Sequence, residues 1–185
     1  MTRVSRVQAG GGQSAPIARP QQPSDVNPNL YAMSRLIGNE QDVGALNKWG
    51  LASPGALRFM AGGGFRRAIT SMLTGIPSDK LIVYGQMADM MRVQGMQPDW
   101  AHLLVLSGVP SPGDLSRYAS NDLGGQIQLG IVYGALAAKA IEVGISEGRA
   151  YSVPSYGQLQ QLAQASYGLG SSISVPQPTQ PQPGQ

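Results

Sequence analysis

Residues 121–148, NDLGGQIQLGIVYGALAAKAIEVGISEG, decide how the rest of this chain is read. Nothing between Asp122 and Lys139 carries a charge. Gly130, Gly134 and Ala138 recur every fourth residue, so on a helix they form one flat stripe. Leu123, Ile127, Ile131, Val132, Leu136 and Val143 surround that stripe with apolar surface. Asn121 or Asp122 can cap the start, and Gly144 and Gly148 are natural stops. The spacing predicts a helix of about six or seven turns at 3.6 residues per turn. A small-residue stripe lets a second backbone come close. The helix is therefore expected to be buried or to face a partner, packing through Gly130, Gly134, Ala138, Ile127 and Ile131.

Working outward, one entry phrase recurs four times: an aliphatic residue, Pro or Ala, Ser, two or three others, then Leu. It reads LASPGAL at 51–57, IPSDKL at 76–81, VPSPGDL at 109–115 and VPSYGQL at 153–159. In each the serine can cap a helix, the upstream aliphatic can pack on the first turn, and proline punctuates the entry. Gly50, Gly75 and Gly108 precede three of the phrases, as C-terminal stops of the helices before them. The longer echo between GLASPGALRF at 50–59 and GVPSPGDLSRY at 108–118 reads either as an internal duplication or as recurring cap chemistry.

These marks divide the middle of the chain into helices. Leu30, Met33, Leu36 and Ile37 share one face of a first helix ending at Gly38, and 42–49 makes a second. Residues 53–74 read as a helix broken at Gly62-Gly63-Gly64, followed by 78–94, by a helix opened by Pro98, by a short one over 111–119 and, after the long helix, by 155–167. No alternating strand pattern emerges. LIVY at 81–84 and LLVL at 103–106 have flanks that favour helix. The expected class is all-α, with several short to medium helices around one long Gly/Ala-striped helix. The helical domain spans 29–170, between a Gly/Gln/Pro/Ser-rich arm at 1–28 and a Pro/Gln-rich extended tail at 171–185.

Charged residues make up only 12% of the chain, half the usual quarter, which is low for a freely soluble monomer. The 13 basic and 10 acidic residues leave a net charge of +3, too dispersed for a nucleic-acid surface by itself. With no cysteine and one histidine, disulfides, thiol nucleophiles and multi-histidine metal sites are excluded. The first twenty residues contain arginines but no apolar segment, so no signal peptide is expected. No run reaches the ~18 apolar residues of a spanning helix, although 121–148 comes nearest.

Three groups of residues are candidate sites. Gly62, Gly63 and Gly64 with Arg66 and Arg67 place glycine amides and cations at a helix start, which suits a phosphate or nucleic-acid backbone; the alternative is a flexible break with a basic end. Arg92 and the arm's Arg3, Arg6 and Arg19 can join such a contact or be ordinary solvated charges. Met87, Met90 and Met91 form a methionine patch that is either core or a partner surface, because Met90 and Met91 cannot both face one core. His102, near Asp99, has no nucleophile tied to it and reads as a capping or interfacial histidine. Asp79, Asp89, Asp99 and Asp114 read mostly as first-turn acids favoured by the helix dipole. No catalytic residue, cofactor or metal is expected.

The low charge, the Gly/Ala/Gln/Ser-rich helix, the extended ends and the missing catalytic motif together resemble small virion proteins of tailed bacteriophages, especially internal or ejection proteins. The resemblance is one of composition and brings no functional residues with it. It implies a non-enzymatic structural subunit in a virion, contacting copies of itself and other subunits through its arms and its small-residue helix. Two alternatives stand beside it. One is a membrane-active or secretion-channel component oligomerising through 121–148, in the cytoplasm or at the envelope. The other is a nucleic-acid-binding accessory protein.

Overall fold

The computed structural model describes residues 28–173, and these are all-α. The expected arm at 1–28, apart from Pro28, and the tail beyond Ile173 lie outside the described residues. The order is α1 (Pro28–Ile37), α2 (Glu40–Lys48), α3 (Pro54–Ala61), α4 (Gly64–Thr74), α5 (Ser78–Met90), α6 (Pro98–Leu106), α7 (Pro112–Ser116), α8 (Leu123–Glu147) and α9 (Tyr156–Ala165).

The core sits around α5 and α6. Every residue of α6 from Asp99 to Val105 is buried, so the helix is enclosed on all sides by α1, α5 and α8. Along α5, Leu81, Tyr84, Met87, Ala88 and Met90 are buried, and α3 lies close against it. Gly85 is what permits that approach: a Cβ there would fall 2.5 Å from the Ala61 Cβ and 3.1 Å from Ile173 Cδ1. Ile173 is itself buried, so the first residues of the expected tail pack on α5.

Three of the four entry phrases act as caps. Ser53 accepts from the Ala56 N–H at 3.2 Å, Ser111 from Asp114 at 3.1 Å and Ser155 from Gln158 at 3.3 Å, the last in a reciprocal capping box. Ser78 differs, because α5 already begins there and Pro77 is the cap residue, with no side chain to accept a bond.

The echo between 50–59 and 108–118 is realised as one repeated turn. Gly50 and Gly108 both adopt positive φ, +70° and +88°, and the next residue's N–H reaches back to a buried leucine's carbonyl: Leu51 to Leu46 at 3.0 Å, Val109 to Leu104 at 2.9 Å. Leu57 and Leu115 then enter the core as the following helices begin. Cap chemistry accounts for all of this, and the helices that follow the two turns differ in length, eight residues against five.

Two expectations are corrected by burial. Met87 and Met90 are inside the core and are not open to a partner, and Met91, half-buried, is packed against that core. A helix enclosed by α3, α4 and α6 takes methionine on several faces at once, which the one-core argument did not allow for. Asp89 is not a first-turn acid. It lies in the last turn of α5, fully buried, with its carboxylate accepting from Arg92 at 3.1 Å, from the Ser172 N–H at 3.0 Å and from the Ser172 hydroxyl.

Candidate docking surface on the long helix

Asp122 caps α8 by accepting from the Gly125 N–H at 2.6 Å, and this bond, aided by the Ser120 hydroxyl, holds its exposed carboxyl below the ordinary 3.8. Gly148, at φ +64°, ends the helix with its N–H on the Gly144 carbonyl. Between these caps the 25 residues divide into two faces. Leu129, Val132, Leu136 and Val143 are buried, packing the helix on the body of the protein beside α6 and α9. On the other side Leu123, Ile127, Ile131, Ile141 and Ile145 are exposed, Ile131 at 68% and Ile145 at 79%.

The small-residue stripe belongs to the outer face. Gly130, Gly134 and Ala138 are exposed, and no atom lies within 4 Å of where a Cβ on Gly130 or Gly134 would sit. The predicted packing residues Ile127 and Ile131 flank the stripe, whereas Val132, Leu136 and Val143, read as apolar surface around it, point the other way. The close helix approach inside the chain is the one at Gly85 and Ala61, which sequence reasoning missed. Its signal was a pair of small residues, Gly85 and Ala88, three apart in a helix of otherwise larger side chains.

Both ends of α8 are fastened. At its start, Tyr156 of α9 donates to the Gln126 carbonyl at 3.1 Å and stands edge-on to Tyr133, while Gln160 donates to the Asn121 side chain at 3.1 Å. At its end, Glu147 pairs with Arg149 Nε at 3.0 Å and accepts from the Tyr151 hydroxyl. Arg149 donates onward to the Ser34 and Arg35 carbonyls at 3.0 and 2.8 Å, satisfying groups near the C-terminus of α1, where a cation is favoured. Gly38, at φ +78°, leaves room for the Glu147 carboxylate where any side chain would collide with it.

His102 completes this cluster. Its Nδ1 lies 2.7 Å from the Leu36 carbonyl, which can only accept, so the proton sits on Nδ1. Nε2 then faces the Tyr151 hydroxyl at 3.2 Å and Glu147 Oε1 at 3.6 Å. Burial is the main influence on the ring and lowers its pKa; the Leu36 carbonyl and the Glu147 charge oppose that, and Arg149 adds to it. Tyr151 and Tyr84 are both raised, first by burial and then by their hydrogen bonds to Glu147 and Asp42.

A groove of about 300 Å³ runs past His102, Glu147, Lys80, Tyr84 and Asp79. The polar groups of Tyr84, Lys80, His102 and Glu147 are already engaged within the protein. Tyr84 donates to Asp42 at 2.6 Å, Lys80 approaches the same carboxylate at 3.4 Å, and His102 and Glu147 are engaged as described. The geometry is that of a brace between α1, α6 and α8.

The glycine-arginine segment is also committed. Arg67 is buried and donates to the Ala61 carbonyl at 2.9 Å, closing the C-terminus of α3. Arg66 stacks on Phe59 with its guanidinium carbon 4.1 Å from the ring centroid. The Gly62-Gly63-Gly64 break lets the chain turn sharply enough for Arg67 to reach back. Arg67 is thus turned into the fold, while the half-buried Arg66 guanidinium lies beside Phe59 and Gly63. On α4 the pattern is inverted, with Arg67 and Thr70 buried while Phe65, at 80% exposure, and Met72 face outward. Among the described residues, no three histidine or acidic side chains converge as a metal site.

Residues 38–129 match a family model described as a domain of unknown function, DUF4332; these 92 of 185 residues fall just short of half the chain. No curated protein and no solved structure matches it. The matched stretch contains both copies of the repeated turn and stops at Leu129, so most of the apolar outer face of α8 lies beyond it.

Proposed function

We propose that this chain is a non-enzymatic structural subunit that joins a multi-subunit assembly through the outer face of α8. The observation that carries the reading is the combination of Ile127, Ile131, Ile141 and Ile145, all exposed, with Gly130 and Gly134, uncovered, on a helix whose opposite face is already packed. An apolar strip of this length on a protein with few charges is what a docking surface requires, since large exposed apolar patches mark interaction sites. A virion as the setting rests on composition alone. The test is light scattering on the full chain across concentrations, beside Ile131→Glu. A mass above that of the monomer, reduced by the substitution, supports the reading; a monomer at every concentration overturns it.

The second reading is insertion of α8 into a bilayer. One observation favours it: α8 is long and apolar enough to cross a membrane, with only 22% of its most apolar window buried. Crossing would pull Leu129 and Leu136 out of the core and break the Glu147–Arg149 fastening, a cost that docking onto a protein does not incur. Flotation of the purified chain with liposomes decides between them, and co-migration with lipid would favour insertion.

A further inference from the structure

We infer that the occupant of the outer face of α8 is a second copy of the same helix, antiparallel and related by a two-fold axis passing at Gly134. The inference rests on the docking role proposed above and adds the partner and the geometry. Seven of the exposed residues are disposed symmetrically about Gly134, while Ile131, three before it, lies opposite the small Ala137. Four residues either side lie Gly130 and Ala138, seven either side Ile127 and Ile141, eleven either side Leu123 and Ile145. At about 100° per residue, offsets of four, seven and eleven all return to within about 40° of the same direction, so the seven residues form one strip. All seven are exposed.

A strip that reads the same in both directions is complementary to itself when a copy is laid on it head to tail. Glycine meets glycine at the axis, Gly130 meets Ala138, and each large residue near one end meets a large residue near the partner's other end. The small centre lets the two backbones approach while the bulky ends pack around the crossing. A parallel pairing would instead stack each residue on its own copy and gains nothing from the symmetry. A contact between the same patch on both copies is the usual form of a two-fold dimer, and it closes on itself. The strip from Leu123 to Ile145 is about 33 Å long at 1.5 Å per residue, a small interface, so a concentration-dependent dimer is expected.

The absence of cysteine allows a direct test on the full chain by disulfide trapping under mild oxidation. Gly134→Cys alone should give a covalent dimer. Ile127→Cys alone and Ile141→Cys alone should not, while a mixture of those two should give a mixed dimer that mass spectrometry identifies. Self-linking of Ile127→Cys, with no mixed dimer, would mean parallel pairing; that overturns this inference and leaves the docking reading intact. No trapped dimer from any variant, together with a monomeric wild type at all concentrations, overturns both. Retention of native circular dichroism by each variant establishes that the helix tested is folded, and no atom near Gly134 stands in the way of a side chain there.

Discussion

Gly85 on α5 faces Ala61 on α3 so closely that a Cβ on the glycine would lie 2.5 Å from the alanine's. Buried on both sides, this crossing has no room to give. Gly85→Val is expected to destabilise the fold by about 1–3 kcal/mol through overpacking, read as a lower urea midpoint with little change in slope. Adding Ala61→Gly should recover part of the loss if the two residues are coupled. Additive effects would mean that Ile173, not Ala61, sets the limit.

Arg66 and Arg67 are neighbours with different duties. Removing Arg67 leaves the Ala61 carbonyl without its charged donor in the interior, so Arg67→Ala should cost about 1.5–3 kcal/mol. Arg66→Ala removes only a partly exposed stacking contact, worth about 0.5–1 kcal/mol. Thermal denaturation of the two variants side by side checks the ranking. Equal losses would remove the claim that the pair is structurally divided.

On α8, Gly134→Leu should separate folding from association. Within the chain nothing opposes the side chain, and replacing a helical glycine with a good helix former contributes up to about 1 kcal/mol. The dilute protein should therefore be at least as stable as the wild type. Self-association, measured by sedimentation at higher concentration, should be lost because the backbones can no longer meet. A drop in stability at high dilution would place the stripe inside the fold after all.

The brace at His102 predicts a pH dependence. Its folded pKa is depressed below the ordinary 6.5, so as pH falls through 6.5 the unfolded chain takes up a proton that the folded chain refuses. Stability present above pH 6.5 is then lost progressively as pH drops toward the folded value. The Leu36 carbonyl, Glu147, Arg149 and Asp99 also act on the ring and do not change that sign. Urea midpoints should decline for the wild type from about pH 7 to about pH 5, the range in which histidine titrates, and should decline less in His102→Gln. The exposed cap Asp122 acts separately: its depressed carboxyl supports stability above pH 3.8, lost only as pH falls further.

Local chemistry was the most legible part of this sequence. Glycine stops and serine caps placed most helix ends within a few residues, because each cap is satisfied by groups three or four positions away. Direction was harder. The apolar residues of 121–148 signalled a helix, but nothing in their order distinguished Leu136, which turns inward, from Ile131, which turns out. That choice is made by α6 and α9, remote in sequence. Phe65 and Met72 illustrate the same limit, since an outward aromatic has the helical period of an inward one. The cluster of Glu147, Arg149, Tyr151 and His102 joins residues from two segments to carbonyls of a third, and no spacing in a single sequence announces it.

The enclosure of α6 bears on how the molecule opens. Seven consecutive residues, Asp99 to Val105, are shielded from water, so the amide hydrogens of this helix can exchange with solvent only when the surrounding helices part. In deuterium oxide α6 should be the last segment to take up label, at a rate set by global unfolding, whereas the outer turns of α4 exchange early. The helix whose seven central residues are shut away from water is thus the one whose labelling time measures how long the whole domain stays closed.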